Sequence, residues 1–228
     1  ASRALSPGQI VEKVDYVRSP QMDYTISVDV QSLSASGQVK SASYEVLVKG
    51  RDKTLIKTVK PEVERGRVLL MNERNLLAYF PDVSKPIRLS MQERLIGDVA
   101  NGDIARVNFS GDYNATLLRQ EKIAEKQYYV LELVANAEDV TYGRVVLWAE
   151  VGTYWPLKAE FYAVSGRLLK TCAYEDFRML AGALRPTRLV MEDPIVKGKK
   201  STVTYDAMQV GEIPDKYFTK DYLKKLME

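Results

Sequence analysis

Histidine is absent from the 228 residues, and cysteine occurs once, at Cys172. Histidine supplies the commonest general base and imidazole metal ligand, so Ser-His and Cys-His nucleophile pairs and the usual zinc sites are excluded. The residues left to do chemistry are carboxylates, lysines, tryptophans and methionines. Glu192 and Asp193 are adjacent, and in a strand they point to opposite faces, the wrong geometry for an acid-base pair. Cys172, between Thr171 and Ala173 in a strand, reads as a small buried side chain. The basic run Lys197 to Lys200 has the chemistry to touch anionic headgroups, but a solvated hairpin tip is the simpler reading. No catalytic constellation can be assembled, so the chain is read as a non-enzyme with no cofactor and no metal.

What remains is binding by apolar surface. With 46% apolar and 28% charged residues the chain has the material for a sizeable core. Its net charge of +3 is interspersed along the sequence, with no basic block of the kind that neutralises a phosphate backbone, so nucleic acid is not an expected partner. No apolar run approaches the ~20 residues that span a bilayer. One cysteine forbids an internal disulfide and leaves the redox compartment open.

The elements that must present this surface are mostly strands. Ser6, Pro7 and Gln9 have the order of an N-cap, an N1 proline and a capping-box residue, and predict a short amphipathic helix from Pro7 to Arg18. Tyr24, Ile26, Val28 and Val30 then alternate with polar residues, a strand with one apolar side. Further strand-like segments are punctuated by Gly50, Pro61, Gly66 and Asn75 at spacings that suit antiparallel hairpins. From Met91 to about Tyr113 the alternation stops. Met91, Leu95, Ile96 and Val99 recur at helical intervals, which predicts a helical insertion. Alternation resumes at Leu117 and continues through a long meander, Tyr142 to Glu192, then Ser201 to Met208 and a partly helical tail. The count is eleven to thirteen strands in a single domain spanning residues 1–228.

Parity assigns the faces. On the strand around Leu147, the wholly apolar side is Val145, Leu147, Ala149 and Val151, which places Trp148 on the outer side; Trp155, in a turn before Pro156, reads as a packing plug. The next strand puts Leu157, Ala159 and Phe161 together. Met71, Met91 and Met191 are flexible apolar side chains of the kind that line adaptable surfaces, although core filling explains them as well.

Four stretches, Leu77 to Ser90, Val145 to Thr171, Arg185 to Asp193 and Ile213 to Leu223, resemble in this order the LolA-like outer-membrane lipoprotein-sorting family of Gram-negative bacteria. The resemblance implies a mainly β (α+β) fold, an incomplete antiparallel β-barrel of about eleven strands with a helical lid over its concave face. It also implies the periplasm, reached with a signal peptide that is later removed, and a cargo of acyl chains. Partners implied are the acyl chains of lipoproteins or lipids, an inner-membrane transporter and an outer-membrane acceptor, with the carrier a monomer. Within Leu95 to Tyr113 the chain departs from the family's phenylalanine-rich Gly-Asp motif and keeps only Gly97, Asp98, Asp103, Phe109 and Asp112. The buried arginine that latches the lid in the family has three candidates, Arg88, Arg106 and Arg144.

The expected cavity lining is Ile26, Val28, Met71, Met91, Leu95, Leu147, Leu157, Phe161, Leu189 and Met191. At roughly 0.8 kcal/mol per CH₂, a long acyl chain gains on the order of 10 kcal/mol from such a groove before association costs, with no polar contact needed. The competing expectation is an interaction module that docks on a membrane transporter without carrying cargo, its cavity filled by its own side chains.

Overall fold

The computed structural model describes residues 4–227. Helix α1 (Pro7–Arg18) begins as its sequence predicts: Gln9 N donates to Ser6 Oγ at 3.3 Å, and Ser6 N donates to Gln9 Oε1 at 2.9 Å. Its buried side is Ile10, Val11, Val14 and Asp15.

Fifteen strands follow. They are β1 (Tyr24–Leu33), β2 (Val39–Lys49), β3 (Lys53–Lys60), β4 (Val68–Asn72), β5 (Asn75–Tyr79), β6 (Ile87–Leu89), β7 (Arg94–Ile96), β8 (Val99–Ala100), β9 (Tyr113–Ile123) and β10 (Lys126–Ala135). The last five are β11 (Arg144–Glu150), β12 (Pro156–Tyr162), β13 (Leu168–Leu180), β14 (Ala183–Glu192) and β15 (Lys200–Val210). Thirteen of them form one antiparallel sheet in the order β6-β5-β4-β3-β2-β1-β15-β14-β13-β12-β11-β10-β9, which leaves β6 and β9 as unpaired edges. The sheet is therefore an open barrel made of two meanders joined where β1 pairs with β15.

Side chains alternate across this sheet as the period-2 patterns require. One cross-strand row runs Leu131, Leu147, Ala159, Cys172, Met191, a second Tyr174, Leu189, Val203, Val30, Ala42, and all ten residues are buried on the concave side. The convex side carries two smaller apolar clusters. Tyr128, Val130, Val146 and Trp148 make one, and Trp148 Nε1 donates to Glu121 there at 3.1 Å. The other is covered by the C-terminal tail: Ile213, Phe218 from a 3₁₀ turn, and Leu223 from α3 (Lys220–Met227) pack on Leu55, Val68 and Leu70.

The segment between the two free edges differs from the predicted helical insertion. Met91, Leu95, Ile96 and Val99 lie in and around the small β7–β8 hairpin, which turns at Gly97 with φ +57°. Helix is confined to α2 (Asn101–Ala105), at the residues expected to end it. The four apolar residues sit at helical intervals because they meet a curved apolar surface, not because the backbone is helical.

Candidate functional site

Residues 90–112, here called the plug, lie against the concave face with Met91, Val99, Ile104, Ala105 and Phe109 buried beneath them. Glycine permits this approach at two points. A Cβ on Gly97 would collide with Ser32 and Ser201, and one on Gly102 with the Thr141 side chain.

Polar contacts hold the plug at its hairpin tip, where Asp98 N donates to Ser201 Oγ at 3.0 Å and Asp98 Oδ1 meets Lys199 at 2.7 Å, and, among others, at three further places. At the end of α1, the buried Asp15 carboxylate accepts from Phe109 N at 3.0 Å, Ser110 N at 2.8 Å and Ser110 Oγ at 2.6 Å. Arg18 donates to Val107 O at 2.7 Å, and its guanidinium lies 4.4 Å from the Phe109 ring and 5.5 Å from the Tyr174 ring. At the second place, Asp103 accepts from Tyr142 Oη at 2.6 Å, caps Ala100 N at 2.7 Å and pairs with buried Lys170. At the third, Asp112 pairs with Arg106 and Arg74, while Thr54 Oγ1 donates to Ala105 O at 2.8 Å.

Burial and hydrogen bonding together set the protonation states. It pushes Asp15 above the ordinary carboxylate range, against the opposing pull of Arg18 and the Ser110 and Phe109 hydrogen bonds. Burial opposes ionisation at Asp112 too, but hydrogen bonds from Arg106 and Arg74 outweigh it and hold that carboxyl low. Cys172 is pushed up to about 12 by burial, so its thiol stays protonated and inert. Tyr24 is pushed up to about 12 by the same cause, and Tyr205 also rises.

The space between plug and sheet is nearly full. A cavity of about 30 Å³ is lined by Arg18, Ile26, Val28, Ile104, Leu189 and the Tyr205 ring, whose hydroxyl is buried with no hydrogen-bond partner. A second of about 20 Å³ lies beside Phe109, Phe161 and Met191. Ligand pockets are usually about 300–1,000 Å³, so these cavities are too small for one, and the concave face is occupied by the plug's own side chains.

Of the residues expected to line a cavity, Ile26, Val28, Met71, Met91, Leu147, Phe161, Leu189 and Met191 are buried in the concave core, and Leu95 is half-buried against it. Leu157 is not among them. Trp148 pairs with Lys158 and Ala149 with Pro156, so Leu157 is the extra residue of a bulge, and it packs on the convex cluster with Trp148. Trp155 stacks on Phe177 with ring centroids 4.6 Å apart. None of the three candidate latch arginines occupies the interior: Arg88 is exposed on edge strand β6, Arg144 pairs with Glu132 and stacks on Tyr162, and Arg106 sits at the plug's rim. The arginine buried against both plug and sheet is Arg18, with its side chain 8% exposed. Its signal in the sequence was its place in the last turn of an amphipathic helix that also carries Asp15 on the buried side.

An open antiparallel half-barrel with an apolar concave face under a polar-anchored cover defines a LolA-like class of protein. A LolA superfamily protein from Nitrosomonas europaea is 46% identical, superimposes with a TM-score of 0.92, and the match covers 96% of this chain and 100% of that one. The chain belongs to the LolA superfamily. A DUF1329 family protein from Desulfovibrio piger shares the fold at 21% identity and a TM-score of 0.82, covering 95% of this chain and 97% of the other. So does a domain described as outer membrane lipoprotein-sorting from Vibrio parahaemolyticus, at 20% identity and a TM-score of 0.79, covering 96% and 98%. A family model described as an uncharacterized protein matches residues 50–225. No curated protein matches the chain.

Proposed function

We propose that this protein is a non-enzymatic periplasmic carrier that shelters acyl chains of lipoproteins or lipids between the concave sheet and the plug, on the way to the outer membrane. The observation that carries this reading is the division of the plug's contacts. Its underside is largely apolar and is matched by an apolar wall, while polar contacts from Asp15, Lys170 and Arg74 fix its short helix and its C-terminal end. Such a cover exchanges one apolar surface for another when an acyl chain takes its place, so the burial lost by the plug is largely replaced by burial of the cargo. Arg18 and the buried Tyr205 hydroxyl then offer polar partners to the ester or carboxyl end of a chain. The carrier takes its cargo from an inner-membrane transporter and gives it to an outer-membrane acceptor, acting as a monomer.

The test is mass spectrometry of organic extracts from protein purified natively from a Gram-negative host, with displacement of a fluorescent fatty acid as a second readout. Bound lipid and saturable displacement are expected. Neither appearing would reject the reading.

A second reading is favoured by the filled interior, where the cavity beside Arg18 and Leu189 is only about 30 Å³. There the protein docks on a membrane transporter and carries nothing. It predicts that a plug held shut by an engineered crosslink retains full activity, whereas the carrier requires the plug to leave.

A further inference from the structure

Where the plug's hairpin meets β13 and the β14–β15 turn there is a pocket of about 250 Å³, lined by Arg94, Asp98, Arg167, Lys170, Asp193 and Lys199. Two of its four cations are already neutralised. Lys170 pairs with Asp103 and donates to Asp98 O at 2.6 Å; Lys199 lies 2.7 Å from Asp98 Oδ1 and 3.2 Å from Asp193 Oδ2. Arg94 and Arg167 are exposed and have no ion pair among the described residues, so both guanidinium groups are free to meet an anion, and with Asp98, Asp103 and Asp193 counted the pocket keeps a net positive charge.

An opposite requirement lies beside them. The Asp98 side chain is nine-tenths buried, with only 10% exposed, and although Oδ1 meets Lys199, Oδ2 is buried with no hydrogen-bond partner. Asp193 is satisfied by comparison: Ile195 N and Val196 N both donate to its Oδ1 at 2.9 Å. A buried acceptor left without a donor is unfavourable and uncommon in folded proteins. One ligand answers both requirements if it brings an anion to the arginines and an N–H donor to the carboxylate.

We propose that this pocket binds a phosphoethanolamine group, with the phosphate at Arg94 and Arg167 and the primary ammonium donating to the Asp98 carboxylate, whose buried Oδ2 turns towards the pocket to receive it. Val99 and Tyr142 line the same pocket and are buried in the concave core, so the chains of a lipid seated here start at the edge of the space that the plug fills and follow it inward when the plug gives way. That path rests on the carrier reading; the headgroup contacts do not. The quaternary ammonium of choline has no N–H and leaves Asp98 Oδ2 unpaired, while phosphatidylglycerol has no cation at all.

Calorimetric titration with dihexanoyl phosphatidylethanolamine, its choline analogue and its glycerol analogue tests the proposal. The ethanolamine lipid is expected to bind about tenfold more tightly than the choline lipid, the difference one hydrogen bond to a charged group makes. Asp98→Asn should abolish that preference. The double variant Arg94→Gln, Arg167→Gln, altered only at exposed positions, should weaken the ethanolamine lipid about tenfold and keep its fold by circular dichroism. Equal affinity for ethanolamine and choline lipids, or an affinity untouched by the double variant, overturns the headgroup site. Two further probes separate the readings. A fluorescent fatty acid that binds while headgroup preference is absent rejects the site and leaves the carrier standing. Chain-free glycerophosphoethanolamine that binds, with dependence on Arg94 and Arg167, while the fatty acid does not, keeps the site as one for a free zwitterion and rejects the carrier.

Discussion

Asp15 and Ser110, 95 residues apart in the chain, are joined twice: Oδ2 of the carboxylate accepts from Ser110 N at 2.8 Å and from Ser110 Oγ at 2.6 Å. Together with the bond from Phe109 N at 3.0 Å, this makes one buried side chain on α1 the holder of the plug's C-terminal end.

Replacing it should free that end. Asp15→Ala leaves two backbone N–H groups without partners, and a loss of about 2–4 kcal/mol in unfolding free energy is expected, read by urea titration. Hydrogen exchange should rise over residues 107–112 and not over β11. Unchanged protection there would mean that the plug is held by its other anchors.

The two buried carboxylates should respond to pH with opposite signs. Asp112 has its pKa lowered, so its contribution is present above the ordinary aspartate value and fades as pH falls through the lowered one. Asp112→Asn should therefore cost about 1–3 kcal/mol at pH 7 and progressively less as the pH falls below the ordinary aspartate value. Asp15 has its pKa raised, so its contribution is present below the ordinary value and lost as pH rises through the raised one. Asp15→Asn should flatten that decline. Denaturation midpoints measured across pH 2–8 would expose either sign as wrong.

At Gly102 the plug is seated by the absence of a side chain. An added Cβ lies 2.8 Å from Thr141 Cγ2 and closer still to its hydroxyl, so Gly102→Ala must displace Thr141 or α2. A destabilisation of about 1–3 kcal/mol is expected. Thr141→Ala in the same chain should restore part of it. An additive double variant would show that the two residues do not meet.

Leu147 and Leu157 separate the two faces of the sheet. Leu147→Ala opens space on the concave side and should lower stability by about 2–5 kcal/mol while altering fatty-acid affinity. Leu157→Ala, on the convex side, should leave that affinity unchanged. If both variants bind alike, acyl chains do not enter the barrel.

The tail gives a control from the far side. Leu223→Asp places a charge among Leu55, Val68 and Leu70 and should cost at least about 2 kcal/mol, yet the folded fraction should retain its ligand affinity. Lost affinity in folded protein would show that the convex tail takes part in binding.

Much of the sheet could be read from residues alone because alternation is a local property. Tyr24, Ile26, Val28 and Val30 face inward as their spacing demands. The capping box at Ser6 likewise depends only on neighbours three residues away. The plug could not be read in this way, since its conformation follows the surface it covers; the one local signal was Gly97, at positive φ, before Asp98. Leu157 was misplaced because a bulge breaks parity without changing the pattern, and Pro156, which cannot donate to the ladder, marks it. Arg18 became visible only once α1 was laid across the sheet. The Gly-Asp remnant proved informative: Gly97 and Asp98 shape the hairpin and its pocket, Asp103 and Asp112 hold the plug, and Phe109 lies under Arg18.

The pairing of β1 with β15 has a bearing on how the chain folds. Every other neighbour in the main sheet is also a neighbour in sequence, so β1–β6 and β9–β15 can each assemble from hairpins as they emerge. Residues 24–33 must wait for residues 200–210 before the halves can join. Until then both halves expose the apolar surface that the finished protein conceals, and the nascent chain spends that interval as its own most hazardous species for aggregation.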